Sequence, residues 1–69
     1  MRYSELARRL HRLGCLPTRY GAGSHEIWRN AARAAQTSIP YHGSKDIGPE
    51  LLSRILRQLK ISREDFDQA

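Results

Sequence analysis

One histidine of this chain follows a turn of small residues and begins a stretch of alternating side chains. Gly23 and Ser24 precede His25, and the alternating residues 26–29 follow it. Histidine has the side-chain pKa closest to neutral pH in its unperturbed state, so an imidazole at this place can both accept and donate a proton. The pattern indicates general acid/base chemistry, and the alternative is a surface histidine at a strand end with no chemical role.

Basic residues are concentrated in the first half of the chain. Residues 1–33 contain seven arginines and two glutamates, whereas residues 34–69 contain five basic and five acidic residues. Ten of the twelve basic residues are arginine, whose planar guanidinium binds phosphate and stacks on bases. The charge predicts an anionic partner, nucleic acid first and an acidic protein second. The alternative is a basic surface that serves only solubility.

These groups could cleave RNA without a metal ion. In that reaction the 2′-hydroxyl attacks the adjacent phosphorus, a base takes its proton, an acid protonates the leaving 5′-oxygen, and positive groups stabilise the added charge. His25 suits the proton transfer, and either His42 or Lys45 could complete a catalytic pair. The candidate substrate-binding residues are Gly23, Ser24, Arg29, His42 and Lys45.

Length and composition limit the other possibilities. A chain of 69 residues predicts one domain, residues 1–69, with a modest core. Cys15 is the only cysteine, and its apolar context indicates a small buried thiol rather than a nucleophile. The histidines are too scattered to predict a metal site, and we expect no cofactor. The sequence contains neither a membrane-spanning apolar run nor a signal-peptide pattern, so we expect a cytoplasmic protein.

Two amphipathic helices and a short helical tail are predicted. The first helix runs from an N-cap at Ser4 to about Leu13, where Gly14 stops it. The second helix begins at Gly48 and Pro49. The apolar positions of these helices are Leu6, Leu10, Leu13, Leu51, Leu52, Ile55, Leu56 and Leu59. The residues that predict the tail are Ser62 and Asp65 of a capping box, with Ile61 and Phe66 as a hydrophobic staple.

Three short strands are predicted between the two helices. Segments 16–20, 25–29 and 37–39 have strand patterns, and Pro17 places the first strand at a start or at a sheet edge. Segment 30–36 is alanine-rich and predicts either a hairpin loop or a helical turn. The simplest packing is α+β, with a three-stranded antiparallel sheet and helices on one face, as in a double-stranded-RNA-binding domain.

The alternation within the second strand leaves the position of His25 open. His25 and Ile27 share one face, and Trp28 is on the other. Either Trp28 covers the core and Ile27 is partly exposed, or His25 lies at the strand end, where the alternation no longer applies. The arginines of the first helix predict a solvated face that phosphate could use; they are Arg8, Arg9 and Arg12.

Three ordered motifs resemble the HicA toxin family. They are Gly23-Ser24-His25-x-x-Trp28, Ile39-Pro40-x-His42-x-x-Lys45 and Leu52-x-x-Ile55-Leu56-Arg57-Gln58-x-x-Ile61-Ser62. The resemblance implies the toxin of a type II toxin–antitoxin pair, an mRNA interferase with a double-stranded-RNA-binding-domain-like fold that needs no metal and inhibits translation and growth. It places the catalytic histidine at His25. It also implies a HicB antitoxin that covers the active site in a hetero-oligomeric complex. The alternative is an RNA-binding module of the same fold that cleaves nothing.

Overall fold

The computed structural model describes residues 1–21, 23, 25–41 and 46–69. The elements in chain order are α1 (Tyr3–Arg12), β1 (Cys15–Tyr20), β2 (His25–Asn30), a 3₁₀ turn (Ala31–Arg33), β3 (Ala35–Pro40), α2 (Pro49–Leu59) and α3 (Arg63–Gln68). The strands form one antiparallel sheet in the order β1-β2-β3. The predicted α+β class and element order are confirmed.

The helices cover one face of the sheet, and the core lies between them. Trp28 is 1% exposed and is the largest side chain in this core. Burying a side chain of this kind contributes about 1.5–3 kcal/mol to folding. The other buried members of the core are Leu6, Leu10, Cys15, Ile39, Ile47, Leu52, Ile55, Leu56, Leu59 and Phe66. The predicted helical stripes are therefore confirmed, with Leu13 and Leu51 only partly buried at their margins.

The start of α1 differs from the prediction. Arg2, not Ser4, is the N-cap residue, and its side chain makes no capping hydrogen bond. The chain before the helix is held in place by backbone pairing, because the Ile47 N–H donates to the Met1 carbonyl at 2.6 Å and Arg2 pairs with Asp46 in a β-bridge. This long-range pairing sets the extended conformation before the helix, so a serine cap is not needed.

Segment 30–36 is divided between two strands and one helical turn. The 3₁₀ turn confirms the helical-turn alternative, and Ala34 after it has a left-handed backbone with φ of 50°. Asn30 lies in β2, and its side chain donates a 2.8 Å hydrogen bond to the Leu59 carbonyl. This bond satisfies a carbonyl at the end of α2, which has no partner within its helix. It fixes the end of α2 against the sheet.

The C-terminal helix follows its predicted signals. The Ser62 hydroxyl accepts a hydrogen bond from the Asp65 N–H at 3.1 Å, so Ser62 is the N-cap. Phe66 is fully buried, and Ile61 packs against the core. The Arg9 guanidinium lies 5.2 Å from the centre of the Phe66 ring, which joins α3 to α1. None of the helices in the described part of the chain has the length and apolar character needed to cross a membrane.

Candidate active site

His25 is the first residue of β2, and backbone contacts fix its position in the sheet. Its carbonyl accepts a 2.8 Å hydrogen bond from the Gly21 N–H, and it pairs with Pro40 of β3. Gly23, in the turn before it, has φ of +65°, a conformation that glycine adopts without steric cost. The imidazole is exposed. The turn and the sheet thus hold His25 at the mouth of the β1–β2 hairpin.

The first of the two alternatives for β2 is correct. Trp28 is buried on the helix-covered face, whereas Ile27 is only half-buried and Arg29 is exposed. His25, Ile27 and Arg29 therefore project from the face of the sheet that carries no helix, which we call the open face. The apolar Ile27 belongs to this surface, so regular alternation and an exposed His25 are compatible.

A β-bulge brings a further arginine to the open face. The register of β1 shifts between Pro17 and Arg19, so that Arg19 pairs with Ile27. Directly paired residues of an antiparallel sheet project from the same face. Arg19 therefore joins His25 and Arg29 there, and the sequence analysis did not select it. The open-face positions given by the register are Leu16, Arg19, His25, Ile27, Arg29, Gln36, Ser38 and Pro40.

This set of open-face positions contains two arginines and a histidine, and it contains no carboxylate. The acidic residue nearest to His25 in sequence is Glu26, which belongs to the opposite face. Because positive charge is not cancelled across this surface, the open face attracts anions. A polyanion such as RNA fits it on electrostatic grounds.

A hydrogen bond from Tyr3 holds Glu26 in place on the helix-covered face of the sheet. The Tyr3 hydroxyl donates a hydrogen bond to Glu26 Oε1, and the Tyr3 ring meets the Tyr41 ring edge-on at 4.8 Å between centroids. Burial, followed by the hydrogen bond to Glu26, raises the pKa of Tyr3 above its ordinary value. This contact joins α1 to the start of β2. It supports the backbone at His25 from the helix side, and no local sequence signal indicated it.

Two of the five predicted substrate-binding residues, Gly23 and Arg29, lie among the described residues. Gly23 lies in the turn before His25. Arg29 shares a face with His25 but is four residues farther along β2, which corresponds to about 13 Å. Ser24, His42 and Lys45 lie outside the described residues. The structure thus relates His25, Gly23 and Arg29 to one another, and the roles of all the site residues stay predictions.

The imidazole is exposed, and it lies outside the hollow that the described residues form. A hollow of about 230 Å³ lies along the edge strand, and His25 does not line it. Its lining residues are Pro17, Thr18, Arg19, Tyr20 and Glu26. An open surface suits a long polymer, which does not have to enter a pocket to reach the histidine.

The arginines of α1 do not form one solvated face as predicted. Arg8 and Arg12 are exposed, but the Arg9 guanidinium is partly buried and donates to Glu5 at 2.8 Å and to the Phe66 carbonyl at 3.4 Å. Arg8 also donates to Glu5, and the hydrogen bonds from Arg8 and Arg9 hold the pKa of Glu5 at about 2. Arg9 is therefore a structural contact between α1 and α3.

Two other kinds of chemistry, a cysteine nucleophile and a bound metal ion, find little support among the described residues. Cys15 is fully buried, and burial raises the pKa of its thiol, which disfavours the reactive thiolate. No group of three or more His, Cys, Asp or Glu side chains in segments 1–21, 23, 25–41 and 46–69 is placed to hold a metal ion. The buried thiol predicted from sequence is confirmed, and His25 stays the strongest candidate for proton transfer.

Comparison with known proteins gives one family match. Residues 3–61 match the family model described as the HicA toxin of bacterial toxin–antitoxin systems. No curated protein sequence matches the chain significantly. The matched region extends from the first residue of α1 to the second residue after α2, and it includes the whole sheet.

Proposed function

Because the chain belongs to the HicA toxin family, we propose that it is an endoribonuclease that cleaves mRNA, with His25 as the general acid/base. Family membership makes the protein the toxin of a toxin–antitoxin system. The step from toxin to RNA cleavage by His25 is our proposal. The observation that supports it best is the open face, where the described positions of the sheet carry an exposed histidine and two arginines and no carboxylate.

The proposed reaction is an internal transfer at phosphorus. The 2′-oxygen of one nucleotide forms a bond to the adjacent phosphorus as its proton leaves, and the bond from phosphorus to the 5′-oxygen breaks as that oxygen gains a proton. The products are a 2′,3′-cyclic phosphate and a 5′-hydroxyl end. An imidazole can carry either proton, and a positioned general acid or base accelerates such a step about 10²- to 10⁴-fold.

The remaining predicted residues have supporting roles in this proposal. Arg29 binds the RNA backbone beyond the cleaved bond, since it lies about 13 Å from His25 along the strand. Backbone N–H groups of Gly23 and Ser24 donate to the phosphate. His42 and Lys45, which follow β3 in the sequence, complete the site in this proposal. The reaction requires no metal ion.

Cleavage of a purified mRNA in EDTA tests the proposal. We expect the unsubstituted protein to cut the RNA and leave cyclic phosphate ends, and we expect His25→Ala to reduce the rate at least about 10²-fold. The matched control is His11→Gln, because His11 is an exposed histidine on α1 whose ring contacts Trp28 on the helix side, at 5.2 Å between centroids. Thermal unfolding establishes that all three proteins are folded.

Two results would overturn the proposal. If the unsubstituted protein leaves the RNA intact but binds it, the non-catalytic RNA-binding module is the correct reading. If His25→Ala cleaves as fast as the unsubstituted protein, another group carries the proton. A basic protein whose true partner is an acidic protein would show no RNA binding even at low salt.

We further propose that a HicB-type antitoxin covers the open face in a hetero-oligomeric complex. Leu16 is 57% exposed beside Arg29, so this surface combines apolar area with positive charge. Expression of the toxin alone should arrest growth, and co-expression of the small protein encoded by an adjacent reading frame should restore it. His25→Ala should also relieve the arrest. Normal growth with well-expressed unsubstituted toxin contradicts this proposal.

A further inference from the structure

Four positions of the β1–β2 hairpin form a square on the open face next to the hairpin mouth. Arg19 is paired with Ile27, and the Gly21 N–H is bonded to the His25 carbonyl at 2.8 Å. Arg19 and Gly21 therefore lie next to each other on one arm of the hairpin. Ile27 and His25 lie next to each other on the other arm. Three corners carry side chains, and the corner opposite His25 carries none.

The side chain of Ile27 leans over the corner that carries no side chain. A Cβ atom at Gly21 would lie 3.3 Å from Ile27 Cδ1 and 3.9 Å from His25 Cβ, so even a methyl group there would crowd Ile27. The backbone at Gly21 is not in the left-handed region, so the close approach of Ile27, and not the backbone conformation, favours glycine here. Arg19 and His25 flank this apolar contact on the open face.

Arg19 is the open-face arginine closest to His25. It is diagonal to His25 across the two strands, and diagonal neighbours are separated by about 7–8 Å, within the reach of a long side chain. Its exposed side chain makes no ion pair or hydrogen bond with any described residue. The guanidinium therefore has its donors available, and the fork of these donors matches the oxygens of a phosphate.

We propose that the phosphate that is cleaved lies between the side chains of His25 and Arg19 and that Arg19 binds its non-bridging oxygens. This assignment rests on the proposed RNA cleavage by His25. As the 2′-oxygen bonds to phosphorus, negative charge grows on the non-bridging oxygens, and Arg19 stabilises that charge from the side opposite the imidazole. Arg19 is then a catalytic residue, whereas Arg29 holds the chain farther along.

Single-turnover cleavage with the protein in excess separates this role from simple binding. We expect Arg19→Gln to lower the rate at saturation about 10²-fold, the effect of removing one positioned donor from a developing charge. Arg19→Lys should recover part of the rate, because it restores the charge without the fork. Arg33→Gln is the control, since Arg33 is an exposed arginine in the 3₁₀ turn at the opposite end of the sheet, and we expect its rate within two-fold of the unsubstituted protein.

Thermal unfolding provides the second measurement. We expect Arg19→Gln to unfold at the same temperature as the unsubstituted protein, because the Arg19 side chain is exposed. If Arg19→Gln cleaves at the unsubstituted rate while His25→Ala does not, this assignment is wrong and the proposed function stands. If the unsubstituted protein itself cleaves no RNA, the proposed function and this assignment fall together.

Discussion

The two faces of the sheet differ in what covers them and in the residues they carry. On the covered face, Trp28 and Ile39 are at most 1% exposed and pack against α1 and α2. On the open face, His25 and Arg29 are exposed on the same strand that carries Trp28. One strand therefore contributes to the core with alternate residues and to the candidate active site with the others. Substitutions one residue apart in β2 should therefore have effects of different kinds.

Trp28→Ala should have the largest effect on stability. Truncating a buried tryptophan costs about 3–5 kcal/mol, and domains are stable by only about 0.05–0.15 kcal/mol per residue. We therefore expect a largely unfolded protein in urea titrations followed by circular dichroism. Leu16→Ala on the open face is the control and should change stability by less than about 0.5 kcal/mol. Equal losses from both variants would contradict the division between the faces.

Asn30→Ala tests the contact that fixes α2 to the end of the sheet. Removing the Asn30 side chain leaves the Leu59 carbonyl without its 2.8 Å hydrogen bond, and leaving a buried acceptor unsatisfied costs about 1–3 kcal/mol. Gln36→Ala, an exposed residue of β3 on the open face, should be nearly neutral. If Asn30→Ala does not change the unfolding temperature, then water replaces the hydrogen bond to the Leu59 carbonyl without loss of stability.

Arg29→Gln should weaken RNA binding without changing stability. Loss of one phosphate contact reduces affinity by a similar factor for all sequences and lowers the slope of log affinity against log salt by about one. Fluorescence anisotropy with a labelled RNA at several salt concentrations measures both. An unchanged salt slope would remove Arg29 from the binding surface.

Glu5→Gln should have the smallest effect, and that effect should depend on pH. The folded-state pKa of Glu5 is about 2, below the value of about 4.3 in an unfolded chain. The ionised carboxylate therefore stabilises the fold above the unfolded pKa, and this stabilisation is lost as pH falls from about 5 toward 2. Urea titrations at pH 7 and pH 3 should show the variant less stable at pH 7 and the difference reduced at pH 3. A constant difference would contradict the ion pairs with Arg8 and Arg9.

Much of the fold could be predicted from the sequence because its signals are local. The leucine spacing of α1 and α2 places their buried faces, and Ser62 caps α3 as its sequence indicates. The start of α1 could not be predicted in the same way. It depends on pairing between Arg2 and Asp46, which are far apart in the chain, and Ser4 was a misleading local signal.

The site was predictable only in part, for a reason that lies in β1. His25 was identified from its turn and its position before an alternating stretch, and the structure places it on the open face. Arg19 was missed because strict alternation from the buried Cys15 puts residue 19 on the covered face. The bulge between Pro17 and Arg19 adds one residue and reverses the alternation. A one-residue change of phase moves every later side chain to the opposite face.

An NMR titration with RNA shows whether the open face carries the function. The ligand is a short RNA in which 2′-deoxy nucleotides remove the attacking hydroxyl, so the protein binds it without cleaving it. We expect the amide shifts to change at His25, Ile27, Arg29 and Arg19 on the open face, and to stay constant at Arg8 and Arg12 on α1. Shift changes confined to α1, with the open face unaffected, would contradict this account.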